Sequence, residues 1–343
     1  MRLLICTQIV DSNDANLGFF HRWLEELAPR ADELIVVCLK KGDTHLPGNV
    51  RVMSLGKEAG TSRMERLRRL YRAVLGERYD AVFVHMNPEY AILGGLWWRI
   101  TGKKVLLWYT HKAVNWRLRL GALFATKIFT ASPESCRLRS GKVEVVGHGI
   151  PTDAFLVRGD VREGEPLRLL SVGRIAPVKD LESVLLAMAA MKHASARPMS
   201  LDIVGEAVAA GDKEYEETLH QLVARLELEG EVHFAGAKTP DELPAVYASH
   251  HLLVHTSKTG SIDKVVLEAL ASGLWVVTTS EAYGGFEEVV ERAPADHPEK
   301  LAQSIEKIIR IGILKPNSAG IAFVRERYAL PRVIKHITDY FHA

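Results

Sequence analysis

Two successive series of short, almost wholly apolar runs, divided by one polar, glycine-rich stretch, constrain this chain more than any other feature. In the first series RLLICTQIV (2–10), ELIVVCL (33–39), AVFVHM (81–86), KVLLWYT (104–110) and KIFTA (127–131) alternate with stretches read as helices at 18–29, 61–76 and 90–100. A strand that is apolar on both faces has to be covered on both faces, which is the habit of a parallel sheet with helices above and below. At 61–76, Met64, Leu67, Leu70, Tyr71 and Val74 recur at helical spacing, with Thr61 or Ser62 placed to cap the N-terminus.

The dividing stretch, GHGIPTDAFLVRGDVREGEP (147–166), holds four Gly and two Pro among many charges and reads as an interdomain linker. The pattern then restarts with strands at 167–173, 199–205, 231–236, 252–257 and 275–279. Helices at 180–192, 214–228, 240–248 and 264–272 alternate with them, and one at about 298–311 closes the series. The tail from Ile321 to His342 reads as helical with a break at Pro331. The expected fold is α/β, two Rossmann-like doubly wound domains facing a cleft, with ligands at the strand C-termini. The expected domains are 1–155 plus about 322–343, and 156–321.

Composition narrows the function. The 343 residues carry 44 Lys/Arg and 42 Asp/Glu, a net charge of +2, which argues against a general nucleic-acid binder. The balance is uneven: residues 51–120 hold 14 Lys/Arg against 5 Asp/Glu, a local net of +9 that points to an anionic partner. Cys6, Cys38 and Cys136 form no CxxC pair and are expected to be buried free thiols of a cytoplasmic protein. The start of the chain does not read as a leader, and no run approaches the roughly 18 apolar residues of a membrane span.

Two segments carry chemistry. In SVGRIAPVKD (171–180) a strand ends at Gly173 and a loop bears Arg174 and Lys179. A planar guanidinium and an ammonium on one loop suit one polyanion, although an isolated pair of this kind is more often two solvated cations. In TGSIDKVVLEALASG (259–273) a loop enters a helix with Lys264 in its first turn, where amides lacking an intrahelical partner attract phosphate oxygens. Glu268, one turn on, is placed to accept from a ribose diol, or else is a surface carboxylate. The absence of GxGxxG and of GxxxxGK[ST] argues against a nicotinamide dehydrogenase and a P-loop nucleotidase.

Taken together, in this order and with the linker, these segments resemble glycosyltransferase family 4, a retaining group of GT-B fold. GRIAPVKD is similar to the family's Gly-Arg-x4-Lys segment, so the resemblance assigns Arg174 and Lys179 to the donor diphosphate, beside Gly173. VVLEALASG is similar to the second half of its Glu-x7-Glu motif, with Glu268 gripping the donor ribose and Lys264, Val265 and Val266 opening the helix. FAGAK brings Gly236, Ala237 and Lys238 to the border of the base. In the first half, His111 after KVLLWYT resembles the family's active-site histidine, and Gly18 and Phe19 lie in its glycine-rich loop near the acceptor. The resemblance also implies that the tail crosses back to the first domain. Two positions depart from the pattern. Gly260 stands where the first Glu contacts the donor sugar, with Asp263 the nearest carboxylate, and Asp180 stands where Gly is usual.

What the resemblance implies is retaining transfer of a sugar, a hexose, from a nucleotide-diphosphate sugar (UDP- or GDP-linked) to an acceptor hydroxyl on a sugar or lipid-linked or cell-envelope glycan. No cofactor and no catalytic metal are expected, since neither a DxD nor a His/Cys cluster of ligand spacing occurs. The alternatives are a nucleotide-sugar epimerase of the same fold and a non-catalytic nucleotide-sugar-binding protein. Arg63, Arg66, Arg68, Arg69 and Arg72, with Trp97, Trp98, Trp108 and Trp116 close in sequence, suggest peripheral contact with an anionic membrane on its inner face; the competing reading is a solvated helix with its tryptophans in the core.

Overall fold

The computed structural model describes residues 1–14, 17–194 and 197–343. The chain forms two compact units, Met1–Gly149 with Ala329–Ala343, and Ile150–Tyr328. The crossings fall at 149/150 and 328/329, somewhat displaced from the 155/156 and 321/322 expected from sequence.

In the first unit β1 (Arg2–Val10), β2 (Glu33–Lys41), β3 (Val50–Ser54), β4 (Ala81–His85), β5 (Lys104–Trp108), β6 (Lys127–Thr130) and β7 (Val143–Val145) pair in parallel in the order β3-β2-β1-β4-β5-β6-β7. Helices α1 (Phe19–Leu27), α2 (Arg63–Gly76), α3 (Pro88–Ile100) and α4 (Trp116–Phe124) lie between strands in sequence. In the second unit β8 (Leu167–Val172), β9 (Met199–Val204), β10 (Val232–Gly236), β11 (Leu252–His255), β12 (Trp275–Thr278) and β13 (Glu291–Arg292) pair in parallel in the order β10-β9-β8-β11-β12-β13. Its helices are α5 (Leu181–Ala194), α6 (Ala210–Arg225), α7 (Leu243–Ala248), α8 (Lys264–Ala271), α9 (Pro298–Ile311) and α10 (Ser318–Arg327). The last helix, α11 (Leu330–His342), belongs to the first unit, where Leu330, Val333, Ile334 and Ile337 share a core with Trp23, Leu24 and Leu27 of α1.

Each sheet separates two apolar layers, because alternate side chains of every inner strand point to opposite faces. On β1, Leu3 and Ile5 join one core while Leu4 and Cys6 join the other. On β8, Leu167 and Leu169 face one layer and Leu170 the other. Each fully buried Leu or Ile contributes roughly 1.5–3 kcal/mol, so these strands hold the sheets without help from their turns. Strand order reverses direction between β1 and β4 and between β8 and β11. At such a reversal the loops leaving the two neighbouring strands go opposite ways and open a crevice at their C-terminal ends.

Several elements differ from the sequence reading. The edge strands β3 and β13, the short β7, and α4 carry too little apolar periodicity to announce themselves. The tail breaks at Tyr328–Ala329, and Pro331 lies in the first turn of α11, where its missing N–H costs nothing. On α2, Leu70 and Val74 are buried, whereas Met64 is 74% exposed and Tyr71 is also exposed. Ser62 is the cap, accepting from Glu65 N at 3.2 Å. Trp98 and Trp108 are core residues, so only Trp97 and Trp116 of the four tryptophans near the basic segment meet solvent. All three cysteines are buried and free, and burial raises their thiol pKa values.

Candidate functional site

The C-terminal ends of β8, β9 and β10 each run into a glycine: Gly173 (φ 144°), Gly205 (φ 150°) and Gly236 (φ 70°). Gly173 N donates to Val204 O, and Gly205 N donates to Gly236 O, both at 2.9 Å. A Cβ on Gly205 would stand 1.9 Å from Gly173 O, so only glycine lets the two turns close against each other. Gly205 was missed from sequence; the signal was available, since MSLDIVG ends, like LRLLSVG and EVHFAG, on Gly.

The loop after β8 then carries Arg174 and Lys179. It is fastened to the loop after β11: Thr256 Oγ1 donates to Lys179 O at 2.7 Å, and Lys258 N donates to Val178 O at 2.8 Å. Asp180 adopts the left-handed conformation, φ 50° and ψ 49°. That backbone explains why glycine would serve here. Asp tolerates it, and its carboxylate accepts from Ser183 Oγ at 3.0 Å and pairs with Lys258 at 3.2 Å.

Arg174 and Lys179 border one depression, together with Gly173, His255, Thr256 and Ser257, at the β8/β11 reversal. Each cation already has a carboxylate. Arg174 Nε lies 3.6 Å from Asp212 Oδ2 at the start of α6, with its side chain half-exposed. Lys179 Nζ donates to Asp263 Oδ2 at 2.7 Å, and both side chains are largely buried. His255 Nε2 meets the same Oδ2 at 3.0 Å, while its Nδ1 meets Thr278 Oγ1 at 2.9 Å. Burial pushes the His255 pKa down, which keeps the ring neutral, donating to Asp263 and accepting from Thr278. Burial alone would raise the Asp263 pKa, but the His255 hydrogen bond and the Lys179 charge outweigh it and hold the carboxyl well below its usual range.

Asp263 is also the residue before α8. Tyr283 OH accepts from Asp263 N at 2.8 Å and donates to Asp263 O at 3.1 Å, which fixes the helix start. Val266 is fully buried in the core, while Val265 packs against it and is only partly buried. Lys264 keeps some contact with solvent, but crowding by protein on its other sides pulls its pKa down to about 7, against the pull of Glu268. Glu268 is raised by the same crowding and accepts from the buried Tyr247 hydroxyl at 2.9 Å. Gly260 (φ 66°) supplies no side chain at the head of this loop. Gly236 and Ala237 are exposed, and Lys238 is half-buried, 4.0 Å from Glu242.

In the first unit Gly18 immediately precedes α1, and Phe19 packs edge-on to Trp23 and to His85. His111 is exposed, 5.9 Å from the Tyr109 ring. The histidine at the β1/β4 reversal is His85 instead. It ends β4, stacks on Phe20 at 4.0 Å, and its Nδ1 lies 3.1 Å from Thr7 Oγ1 on β1. It too was legible, as the polar residue closing AVFVHM. Among the described residues no group of three His, Cys, Asp or Glu is placed to hold a metal ion, and no helix is long and apolar enough to cross a membrane.

Residues 157–318 match the family model described as glycosyl transferases group 1. A search of curated protein sequences gave no match. Among solved structures, the chain is similar to HepE of Anabaena in complex with UDP, at 19% identity, TM-score 0.77 and complete coverage of both chains. Sucrose-phosphate synthase of Thermosynechococcus elongatus superposes with TM-score 0.73 at 17% identity, covering 99% of this chain and 98% of that one. The lipopolysaccharide outer core galactosyltransferase WaaB, in its apo form, gives 0.70 at 12% identity over both full chains. The two Rossmann-like units therefore constitute a GT-B fold.

Proposed function

We propose that this protein is a retaining glycosyltransferase that moves a hexose from a nucleoside-diphosphate sugar to an acceptor hydroxyl. The observation that carries the reading is that Arg174 and Lys179 border one depression at the β8/β11 reversal, with the start of α8 joined to it through Asp263. As the bond from the sugar to the β-phosphate breaks, negative charge grows on the leaving oxygen. Arg174, Lys179 and the first amides of α8 stabilise that charge, without a catalytic metal. An anion arriving beside Lys264 also favours its protonated form. Glu268 accepts from the ribose diol once Tyr247 shares it, and Gly236, Ala237 and Lys238 border the base. Retention follows from attack by the acceptor on the face from which the diphosphate departs.

The acceptor belongs to the first unit in this reading, near Gly18, Phe19 and His111, with His85 beneath Phe19. A lipid-linked or cell-envelope glycan suits the basic, partly apolar surface of α2, α3 and α4, which gives the protein a peripheral place on an anionic membrane.

Radiolabelled UDP-glucose is the first donor to test, because solved HepE structures hold UDP and UDP-glucose. Transfer to water or to a glycan acceptor supports the reading. Release of a free epimer identifies an isomerase, and binding without turnover a sugar-nucleotide sensor. Lys179→Gln is the sharper test, since Gln keeps a hydrogen bond to Asp263 where Ala would strand a buried carboxylate. Turnover is expected to fall about 10²–10³-fold with little change in melting temperature. A fully active variant removes Lys179 from the site.

A further inference from the structure

We infer that Asp263 competes with the donor's diphosphate for Lys179, so that this carboxylate governs how readily the nucleoside diphosphate leaves. The inference rests on the function proposed above and concerns the same site.

The carboxylate is the fixed partner of the ion pair. Its Oδ2 accepts from His255 Nε2 at 3.0 Å, and that ring is itself buried and held by Thr278 Oγ1 at 2.9 Å. Thr259 Oγ1 lies 3.4 Å from Oδ1, and Tyr283 OH bonds both the N–H and the carbonyl of residue 263. The His255 and Thr259 contacts would have to break for the carboxylate to turn away, and Tyr283 holds the backbone that carries it. Lys179, by contrast, ends a flexible four-carbon stem that passes over Gly173, where a Cβ would sit 3.3 Å from its Cε. Lys179 is therefore the part that moves. A diphosphate gripping its ammonium must stand close to a fixed anion that already accepts from that ammonium at 2.7 Å. Like charges sharing one cation in a largely dry site oppose each other strongly. Arg174 is placed differently: its pair with Asp212 is longer, 3.6 Å, and half-exposed, so solvent screens it. Asp263 thus holds Lys179 in place while the site is empty and draws it back as the spent nucleotide departs. That occupation also keeps the carboxylate from serving the donor sugar in place of the missing side chain at Gly260.

Titration of the purified protein with UDP, by calorimetry at low salt, tests this. Asp263→Asn keeps the size and an acceptor for Lys179 but removes the charge. Its UDP dissociation constant is expected to be about tenfold lower than that of the unaltered protein, with the gap narrowing as salt rises. Turnover number and KM for the sugar nucleotide are expected to fall together as product release slows. Asp263→Glu, which keeps the charge, is expected not to tighten binding. A gain in affinity cannot come from a damaged fold. Unchanged or weaker UDP binding by Asp263→Asn overturns the inference while leaving the transferase reading intact. Failure of the unaltered protein to bind UDP, GDP or ADP overturns the reading itself, and the inference with it.

Discussion

His251 shows how one buried ring can couple this fold to pH. It is buried just before β11, and its Nδ1 accepts from Arg168 N at 3.0 Å, an arrangement that requires the neutral ring. Burial, with Arg168 and Arg158 adding to it, lowers its pKa to about 4. In the unfolded chain the value returns to roughly 6.5. Between those two values the unfolded state binds a proton that the native state refuses, so stability is complete above the upper value and declines as pH falls towards the lower one. His255, lowered by burial as well, acts in the same direction. Urea unfolding followed from pH 7 to pH 4 is expected to show a loss of about 3 kcal/mol from His251. His251→Asn, whose amide oxygen can take the Arg168 N–H, is expected to flatten that limb. An unchanged pH dependence would assign the limb to other groups. At this scale the sequence was only half legible. Arg174 and Lys179 stand out because five positions of one loop separate them. Asp212 and Asp263, the carboxylates that hold them, lie 38 and 84 residues further along the chain, and nothing in their local spacing reveals the pairing.

Elements were legible in proportion to their burial. The central strands are apolar on both faces and could be read directly, as could α8, whose Val266, Leu267, Leu270 and Ala271 turn inward. The edge strand β3, with Arg51 as its second residue, and the three-residue β7 could not, because one ladder of hydrogen bonds demands little of the sequence. The stretch read as a linker shows the converse. Its glycines and charges suggest a loose connection, yet Arg158 within it is 2% exposed. Its guanidinium donates to the carbonyls of Gly273 at 3.1 Å, Gly159 at 3.0 Å and Ile313 at 2.7 Å, and also to Lys315 O, while Arg158 N donates to Ser272 O at 2.9 Å. One side chain therefore ties the connection to the turn after α8 and to the turn after α9. Burial lowers the Arg158 pKa to about 10, which leaves it charged at neutral pH. Arg158→Met preserves bulk but strands buried carbonyl groups, and each such loss costs about 1–3 kcal/mol. A destabilisation of about 2–4 kcal/mol in urea unfolding is expected. A variant as stable as the parent would show that water or neighbouring donors take over these carbonyls.

At the scale of the molecule, charge and exposed apolar surface coincide. Among the described residues, nine of the sixteen large hydrophobic side chains left exposed lie on α2, α3 and α4, including Met64, Leu96, Trp97, Ile100 and Trp116. The same helices carry Arg63, Arg68, Arg72, Arg99, Arg117 and Arg119, and Tyr71 OH on α2 donates to Leu93 O on α3 at 3.2 Å, so the helices present adjoining surface. Scattered exposed leucines need no explanation, but their concentration with arginine and two outward tryptophans on one helical layer does. A second copy of this surface would bring like charges together. Anionic headgroups would satisfy the arginines while the tryptophans and leucines enter the acyl boundary. Each basic residue near such a surface contributes about 1 kcal/mol, so three of them account for roughly a hundredfold in partitioning. Sedimentation with vesicles containing phosphatidylglycerol should accordingly carry the protein down, and vesicles of phosphatidylcholine alone should not. Replacing Arg63, Arg68 and Arg72 together by Gln should lower the partition coefficient about a hundredfold, and raised salt should mimic that change. Trp97→Ser with Trp116→Ser should weaken binding at every salt concentration, since apolar insertion is not screened. Equal binding to both kinds of vesicle would mean that charge does not direct this surface to lipid. The acceptor would then have to be sought among water-soluble sugars, with the donor chemistry at Arg174 and Lys179 unaffected.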